Sequence, residues 1–197
     1  MKNFYRVSIA LASLLLLNSC DSLSGDDGNV ETGTAYYHNI EGVKYDCGDA
    51  PEGTTDSSGK FTYEEGENCT LYIGDKELRQ VSNRVLNDGA ILVETNDANI
   101  QLLQTLDNDG NPYNGIKIVS GVADYFDIQE KISDYLIPDI LSDLITVNQA
   151  TMATLSTALE VVGGYNGSSV SLDEARANLD NILDQLTQND MEYTELQ

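Results

Sequence analysis

One loop in this chain carries oxygen atoms at the spacing that a hard cation uses. Asp107, Asp109 and Asn111 alternate with Asn108 and Gly110, and Ca²⁺ is bound by alternating oxygens on a loop that a glycine helps to turn. The loop lacks the sixth-position glycine and the twelfth-position glutamate of an EF-hand. The alternative is a helix end followed by Asx turns, which need no ion. The sequence therefore predicts either a Ca²⁺ site or a turn.

Other side chains that could perform catalysis stand without an accompanying motif. His38 is the single histidine, and no serine or cysteine motif of a nucleophilic site accompanies it. With 33 carboxylates, some pair falls at glycosidase separation by chance. Since the chain has no tryptophan, a glycan platform would use tyrosines such as Tyr36, Tyr37 and Tyr72. We expect no catalytic residue, with a carboxylate-dependent hydrolase as an alternative.

The first 20 residues have the organisation of an export signal. Two basic residues precede an apolar stretch over residues 7–17. This stretch is too short to span a bilayer, which takes roughly 20 apolar residues, but it suits a secretory signal. It ends in Leu17-Asn18-Ser19-Cys20, which resembles the lipobox of bacterial lipoproteins. The resemblance implies that residues 1–19 are a signal peptide and that Cys20 becomes the acylated N-terminus.

A lipid anchor implies a membrane as the first partner of the chain. Residues 20–33 are polar and glycine-rich after the cysteine, which predicts a flexible tether. Asp21 resembles the inner-membrane retention signal of enteric bacteria, a rule that does not hold in all bacteria. The expected location is the cell envelope, periplasmic or surface-exposed, with inner or outer membrane left open. An ordinary signal peptide with a chance cysteine is the alternative.

Charge excludes one class of partner. The chain has a net charge of −23, and loss of residues 1–19 leaves eight basic and 33 acidic side chains, a charge of −25. Nucleic-acid binding requires a basic footprint, so we expect no nucleic-acid partner. The acidic surface is compatible with solubility, cation binding or a basic partner.

Cys47 and Cys69 remain as an even pair once Cys20 is assigned to lipid. An exported compartment permits a disulfide between them. It would close a loop of about 23 residues, which contributes about 3 kcal/mol in the chain-entropy model. Free thiols are the alternative, since two cysteines and one histidine do not complete a zinc site.

Residues 34–96 predict a β module, because apolar side chains alternate with polar ones in several short runs. The segment Gly53-Thr54-Thr55-Asp56-Ser57-Ser58-Gly59-Lys60-Phe61 resembles a hairpin of carboxypeptidase-regulatory-like and transthyretin-like β-sandwich modules. In such a hairpin Asp56 caps the turn, Gly59 takes a positive φ and Phe61 enters the core. Ala90 to Glu94 predicts a further strand.

Residues 97–197 predict a mainly helical region. Asp97 is the expected N-cap of a helix that reaches Leu106, and Thr151 to Val162 predicts another helix. Ser171 and Glu174 have the spacing of a capping box that opens the final helix. Pro138 falls inside an apolar helical pattern and is expected to separate two helices.

The segment from Leu102 to Ile116 resembles one that follows β modules in many proteobacterial lipoproteins and surface proteins. Members of that uncharacterised family are usually exported and often adhesin-like. The expected fold is α+β, with a small disulfide-stapled β-sandwich-like module followed by a helical region. The expected function is a membrane-anchored, non-enzymatic lipoprotein for binding, adhesion or structure, with a protein or glycan partner. An accessory subunit of a secretion or polymer-handling complex is the alternative.

Overall fold

The computed structural model describes residues 30–132 and 149–197 of the chain. The expected signal peptide, Cys20, Asp21, most of the tether and the helix break at Pro138 lie outside these residues. Within them, no helix has the length and apolar character needed to cross a membrane. The fold is α+β, as expected.

The described residues form ten strands and four α-helices. The strands are β1 (Thr32–Tyr37), β2 (Ile40–Glu41), β3 (Lys44–Asp46), β4 (Gly53–Thr54), β5 (Lys60–Glu64), β6 (Cys69–Ile73), β7 (Lys76–Val81), β8 (Ala90–Glu94), β9 (Ile116–Lys117) and β10 (Thr194–Leu196). The helices are α1 (Asp97–Leu106), α2 (Ser120–Ile132), α3 (Gln149–Leu159) and α4 (Leu172–Gln188).

Two four-stranded sheets and one strand pair carry the β structure. The first sheet has the order β10-β8-β1-β5, and the second has the order β4-β3-β6-β7. β1 pairs antiparallel with β5 but parallel with β8, and β10 pairs parallel with β8. β2 and β9 form the separate parallel pair. The strict alternation of buried residues in β5 and β6 confirms the predicted period of two.

One hydrophobic core joins the β and helical regions. It contains Phe61 from the first sheet, Leu71 from the second, Leu103 from α1 and Leu159 from α3, all at most 1% exposed. Eight of the ten residues of α1 are buried, including polar ones. This helix is therefore enclosed on all sides, whereas a surface helix buries only one stripe.

The turn at 56–59 has the predicted local structure but a different setting. Asp56 Oδ1 accepts the N–H groups of Ser58 and Lys60 at 2.8 and 3.0 Å, Gly59 has a φ of 81°, and Phe61 is buried. The expected hairpin is wrong, because β4 pairs with β3 in one sheet and β5 pairs with β1 in the other. The turn carries the chain from one sheet to the next.

The helix starts and the last strand differ from expectation in detail. The N-cap of α1 is Asn96, whose side chain accepts the N–H groups of Ala98 and Asn99, so that Asp97 lies in the first turn. Ser171 caps α4 by accepting the Glu174 N–H, as predicted. β10 was not predicted: this short strand returns the end of the helical region to the first sheet.

Candidate functional site

The Asp107–Asn111 loop is closed by hydrogen bonds to its own backbone. Asp107 directly follows α1, and its Oδ1 and Oδ2 accept the N–H groups of Lys117 and Asn111, each at 2.9 Å. Asp109 Oδ1 accepts the same Asn111 N–H at 2.9 Å. The Asn111 side-chain oxygen accepts the N–H two residues further on. This is the Asx-turn arrangement, in which the oxygens at the spacing of calcium ligands accept N–H groups.

Burial gives Asp107 an unusual protonation behaviour. The Asp107 side chain is buried, and this burial raises the pKa of its carboxyl to about 6. The hydrogen bond from the Lys117 N–H lowers the pKa, but by less than burial raises it. The hydrogen bonds from Asn114 and Asn111 lower the pKa of Asp109, which also shares a hydrogen bond with Asp107. Across residues 30–132 and 149–197, no cluster of three or more His, Cys, Asp or Glu side chains could hold a metal ion. The calcium site stays a prediction.

Cys47 and Cys69 form a disulfide, as the sequence predicts. They lie where β3 ends and β6 begins, with their Cα atoms 4.1 Å apart, and both side chains are buried. Because β3 and β6 are neighbours in the second sheet, the bond joins adjacent strands at one end of their ladder. The disulfide ties the loop that contains the 56–59 turn to the second sheet.

The tyrosines proposed as a glycan platform do not form one surface. Tyr37 is fully buried in the core. Tyr36 lies on β1 of the first sheet, whereas Tyr72 lies on β6 of the second sheet. The Tyr72 ring faces the Lys44 ammonium at 5.8 Å. The three residues therefore serve different parts of the fold.

A buried ion pair that sequence reasoning missed links the two sheets. Arg79 Nη1 on β7 lies 2.8 Å from both carboxylate oxygens of Glu94 at the end of β8. The Tyr37 hydroxyl donates to Glu94 Oε2 at 2.7 Å, and the backbone N–H of Asn96 donates to Oε1 at 2.9 Å. The Asn99 amide adds a donor at 3.3 Å. Glu94 is thus held by four donor residues, from β7, β1 and the start of α1.

The same arginine fixes the end of the chain against the first sheet. Arg79 donates to the carbonyl oxygens of Leu196 and Gln197 at 3.0 and 2.9 Å. The Thr95 backbone N–H and hydroxyl both donate to the Leu196 oxygen. These bonds reinforce the three-residue ladder of β10, which alone would hold the segment weakly.

A concave site lies between α1, α4 and the β2–β9 pair. We call it the α1–α4 cleft. It is a narrow slot with a cavity volume of about 60 Å³, below the volumes usual for ligand pockets. Leu103 and Ile116 form its buried floor, and the half-buried Leu179 and Ile182 of α4 form one wall. Tyr113, which is 62% exposed, stands at the cleft.

Two unusual residues adjoin each other at this cleft. Asn39 has a φ of 55°, a left-handed conformation that asparagine tolerates better than most residues. The Asn39 carbonyl oxygen accepts the Ile116 N–H at 2.8 Å, and this bond holds Asn39 between β1 and β9. His38 also lines the cleft, and burial lowers the pKa of its imidazole. The cleft thus brings together a left-handed backbone position at Asn39 and a histidine whose pKa is lowered by burial.

The signals for this cleft in the sequence were weak. His38 is a lone histidine without an accompanying motif, and Tyr113 merely follows the acidic loop in the sequence. Leu179 and Ile182 belong to an apolar stripe that is ordinarily core. Their half-exposed state depends on how far α4 stands from α1, which a single sequence does not encode locally.

The chain matches no protein family, and comparisons with curated proteins and solved structures find no similar protein. The resemblances of Leu17-Asn18-Ser19-Cys20 and of residues 53–61 and 102–116 to known families therefore stay predictions.

Proposed function

We propose that this chain is an exported, lipid-anchored binding module of the bacterial cell envelope that takes its ligand in the α1–α4 cleft and performs no catalysis. The observation that carries the proposal is the Cys47–Cys69 disulfide. Stable disulfides belong to oxidising compartments outside the cytosol. The bond occupies two of the three cysteines, so that Cys20 remains for acylation.

The position of the first strand supports an anchored domain. β1 begins at Thr32, so that eleven residues separate it from Cys20. A lipid on Cys20 would therefore hold the folded domain close to the bilayer.

The chemistry at the cleft favours binding over hydrolysis. A general acid or base must reach the proton that it transfers. Glu94 is the one carboxylate among the cleft-lining residues, and its oxygens are already engaged by Arg79, Tyr37 and the N–H of Asn96. A carboxylate held in this way supports the structure around a ligand rather than attacking it.

Metabolic labelling tests the anchor directly. The full chain is expressed in a Gram-negative host with radiolabelled palmitate, followed by separation of membrane and soluble fractions. We expect label on the wild type in the membrane fraction and no label on Cys20→Ala. The matched control is Cys47→Ala/Cys69→Ala, which removes cysteines elsewhere and should keep the label. An unlabelled, soluble wild-type chain would refute the proposal.

A further inference from the structure

We propose that the α1–α4 cleft binds an uncharged amphipathic molecule, whose slender apolar part lies between α1 and α4 and whose oxygen acceptor meets the imidazole of His38. This inference rests on the proposed binding function and names the ligand class of the same site. Four features of the cleft support this inference. Its walls are apolar, its buried polar groups are already hydrogen-bonded within the protein, the imidazole of His38 has a free donor, and its lining residues carry no unpaired charge.

The walls of the α1–α4 cleft favour a ligand with an apolar part. Leu103 and Ile116 are buried at the floor, while Leu179 and Ile182 present half-buried aliphatic side chains from α4. Covering such surface is favourable in proportion to its area. The slot is narrow, so that it suits an alkyl chain or a single small ring better than a fused ring system.

The buried polar side chains of the cleft, Glu94 and Gln104, are already paired within the protein. Gln104 Nε2 donates to the Ala175 carbonyl at 3.0 Å, and Gln104 Oε1 accepts from the Asn178 amide at 2.8 Å. Glu94 is held by Arg79 and its other donors. A ligand therefore meets few unpaired polar atoms, and burying an unmatched polar group against these walls would be unfavourable.

His38 supplies one donor that the described residues leave free. Its Nε2 lies 3.3 Å from the Asn39 side-chain nitrogen, and because an amide nitrogen can only donate, this contact favours the tautomer whose proton is on Nδ1. Burial lowers the pKa of His38, which favours the neutral ring. Among residues 30–132 and 149–197, Nδ1 has no acceptor. A carbonyl, ether or hydroxyl oxygen of a ligand would complete this pair.

The charges exclude an ionic head group. The cleft lining contains no lysine or arginine, and its single acid, Glu94, is neutralised by Arg79. A carboxylate or phosphate would enter without a counter-charge on a chain of charge −23, and an ammonium would find no free carboxylate. Burying an unpaired charge is strongly unfavourable, so the ligand is uncharged.

The test compares three probes that share one alkyl chain. Hexanamide, hexanoate and hexylammonium are titrated into the processed, lipidated chain in phosphatidylcholine nanodiscs by saturation-transfer NMR at pH 7.5, and empty nanodiscs correct for partitioning into lipid. We expect hexanamide to bind at least tenfold more tightly than either charged probe.

Variants locate the binding. Ile182→Trp should fill the slot and weaken hexanamide binding at least tenfold, and Leu179→Trp provides a second blocking variant should the first unfold. The matched control is Leu183→Trp, because Leu183 is half-buried on the same helix but does not line the cleft. His38→Phe keeps the ring size, removes the donor and should weaken binding about fivefold, the loss of one neutral hydrogen bond.

The outcomes separate this inference from the proposed function. A charged probe that binds as tightly as hexanamide, and is blocked by Ile182→Trp, would overturn the ligand class but keep the cleft as a binding site. Hexanamide binding that Ile182→Trp and Leu179→Trp leave unchanged, or no binding of any probe, would overturn the inference. Palmitate labelling at Cys20 is measured separately and decides the anchor.

Discussion

The guanidinium of Arg79 lies with Nη1 2.8 Å from both oxygens of Glu94, and the two side chains are only 12% and 2% exposed. This pair connects β7 of the second sheet with β8 of the first sheet. Removal of one member of a buried pair is costly because the other charge loses its partner in a poorly solvated place. The pair therefore fixes the relative position of the two sheets more than it adds net stability.

We predict that Arg79→Met lowers the free energy of unfolding by about 3–5 kcal/mol, the usual effect of breaking a buried pair. Urea unfolding followed by circular dichroism measures this change. The matched control is Arg176→Met, which breaks a pair with Asp97 in which both side chains are about half exposed. Exposed pairs contribute at most about 1 kcal/mol. Equal losses in the two variants would contradict the role of Arg79.

Local features of this fold were predictable from the sequence, whereas its long-range pairings were not. The 56–59 turn and the Ser171 cap depend on side chains that bond to backbone within four residues, so their residue types reveal them. Arg79 and Glu94 are adjacent only because the fold brings β7 of the second sheet near the end of β8 in the first sheet. Nothing in the residues around either one indicates the other.

The difference between local and long-range features also explains the 56–59 turn, where the sequence predicts a hairpin and the structure has a crossover between two sheets. Asp56 and Gly59 specify a tight change of direction, but they do not specify which strands the flanking residues join. That choice depends on β1 and β3, which pair with β5 and β4 respectively. β10 was missed for a related reason, since three residues are too few for a period of two to be recognised.

The raised pKa of Asp107 predicts a stability change with pH of defined sign. A group whose pKa is higher in the folded state stabilises the fold when protonated, and this contribution is lost as pH rises. For Asp107 it is complete below about pH 4 and is lost as the pH passes through about 6. We expect the free energy of unfolding, measured in urea from pH 4 to 7, to fall more steeply for the wild type than for Asp107→Asn.

Asp88→Asn is the control for the Asp107 titration. The backbone N–H and hydroxyl of Thr34 lower the pKa of Asp88, so its contribution is lost only as the pH falls below about 4. Between pH 4 and 7, this variant should differ from the wild type by a constant amount. A difference curve for Asp107→Asn that is equally flat would show that Asp107 does not titrate in this range.

Calcium should leave the melting temperature of the chain unchanged. Asp107 is sealed from solvent and both of its oxygens accept N–H groups, as does the Asn111 oxygen. An ion would have to displace these donors. Differential scanning calorimetry after chelator treatment, with and without millimolar Ca²⁺, measures the effect. A rise that Asp109→Ala abolishes would show that the loop rearranges to bind the ion, because a ligand of the folded state raises its stability.

We expect Gly59→Ala to be among the most destabilising glycine-to-alanine substitutions in this chain. Gly59 has a φ of 81°, and a Cβ there would lie 1.8 Å from the backbone oxygen of Tyr37. Gly66 has a similar φ of 91°, but a Cβ added there meets no atom within 4 Å. Left-handed backbone costs an alanine about 1–2 kcal/mol at either position. The difference between Gly59→Ala and Gly66→Ala therefore isolates the collision with β1.

Because the Tyr37 oxygen belongs to the backbone of β1, relief of this collision requires the turn to move away from the sheet. Such a movement would break the bond from the Tyr37 N–H to the Gly59 oxygen, which is 2.8 Å long, and would withdraw Phe61 from the core. Loss of a buried phenylalanine contact costs about 3–5 kcal/mol at most. We expect Gly59→Ala to lower the urea midpoint by at least twice the effect of Gly66→Ala. Equal midpoints would mean that the turn does not need its close approach to β1.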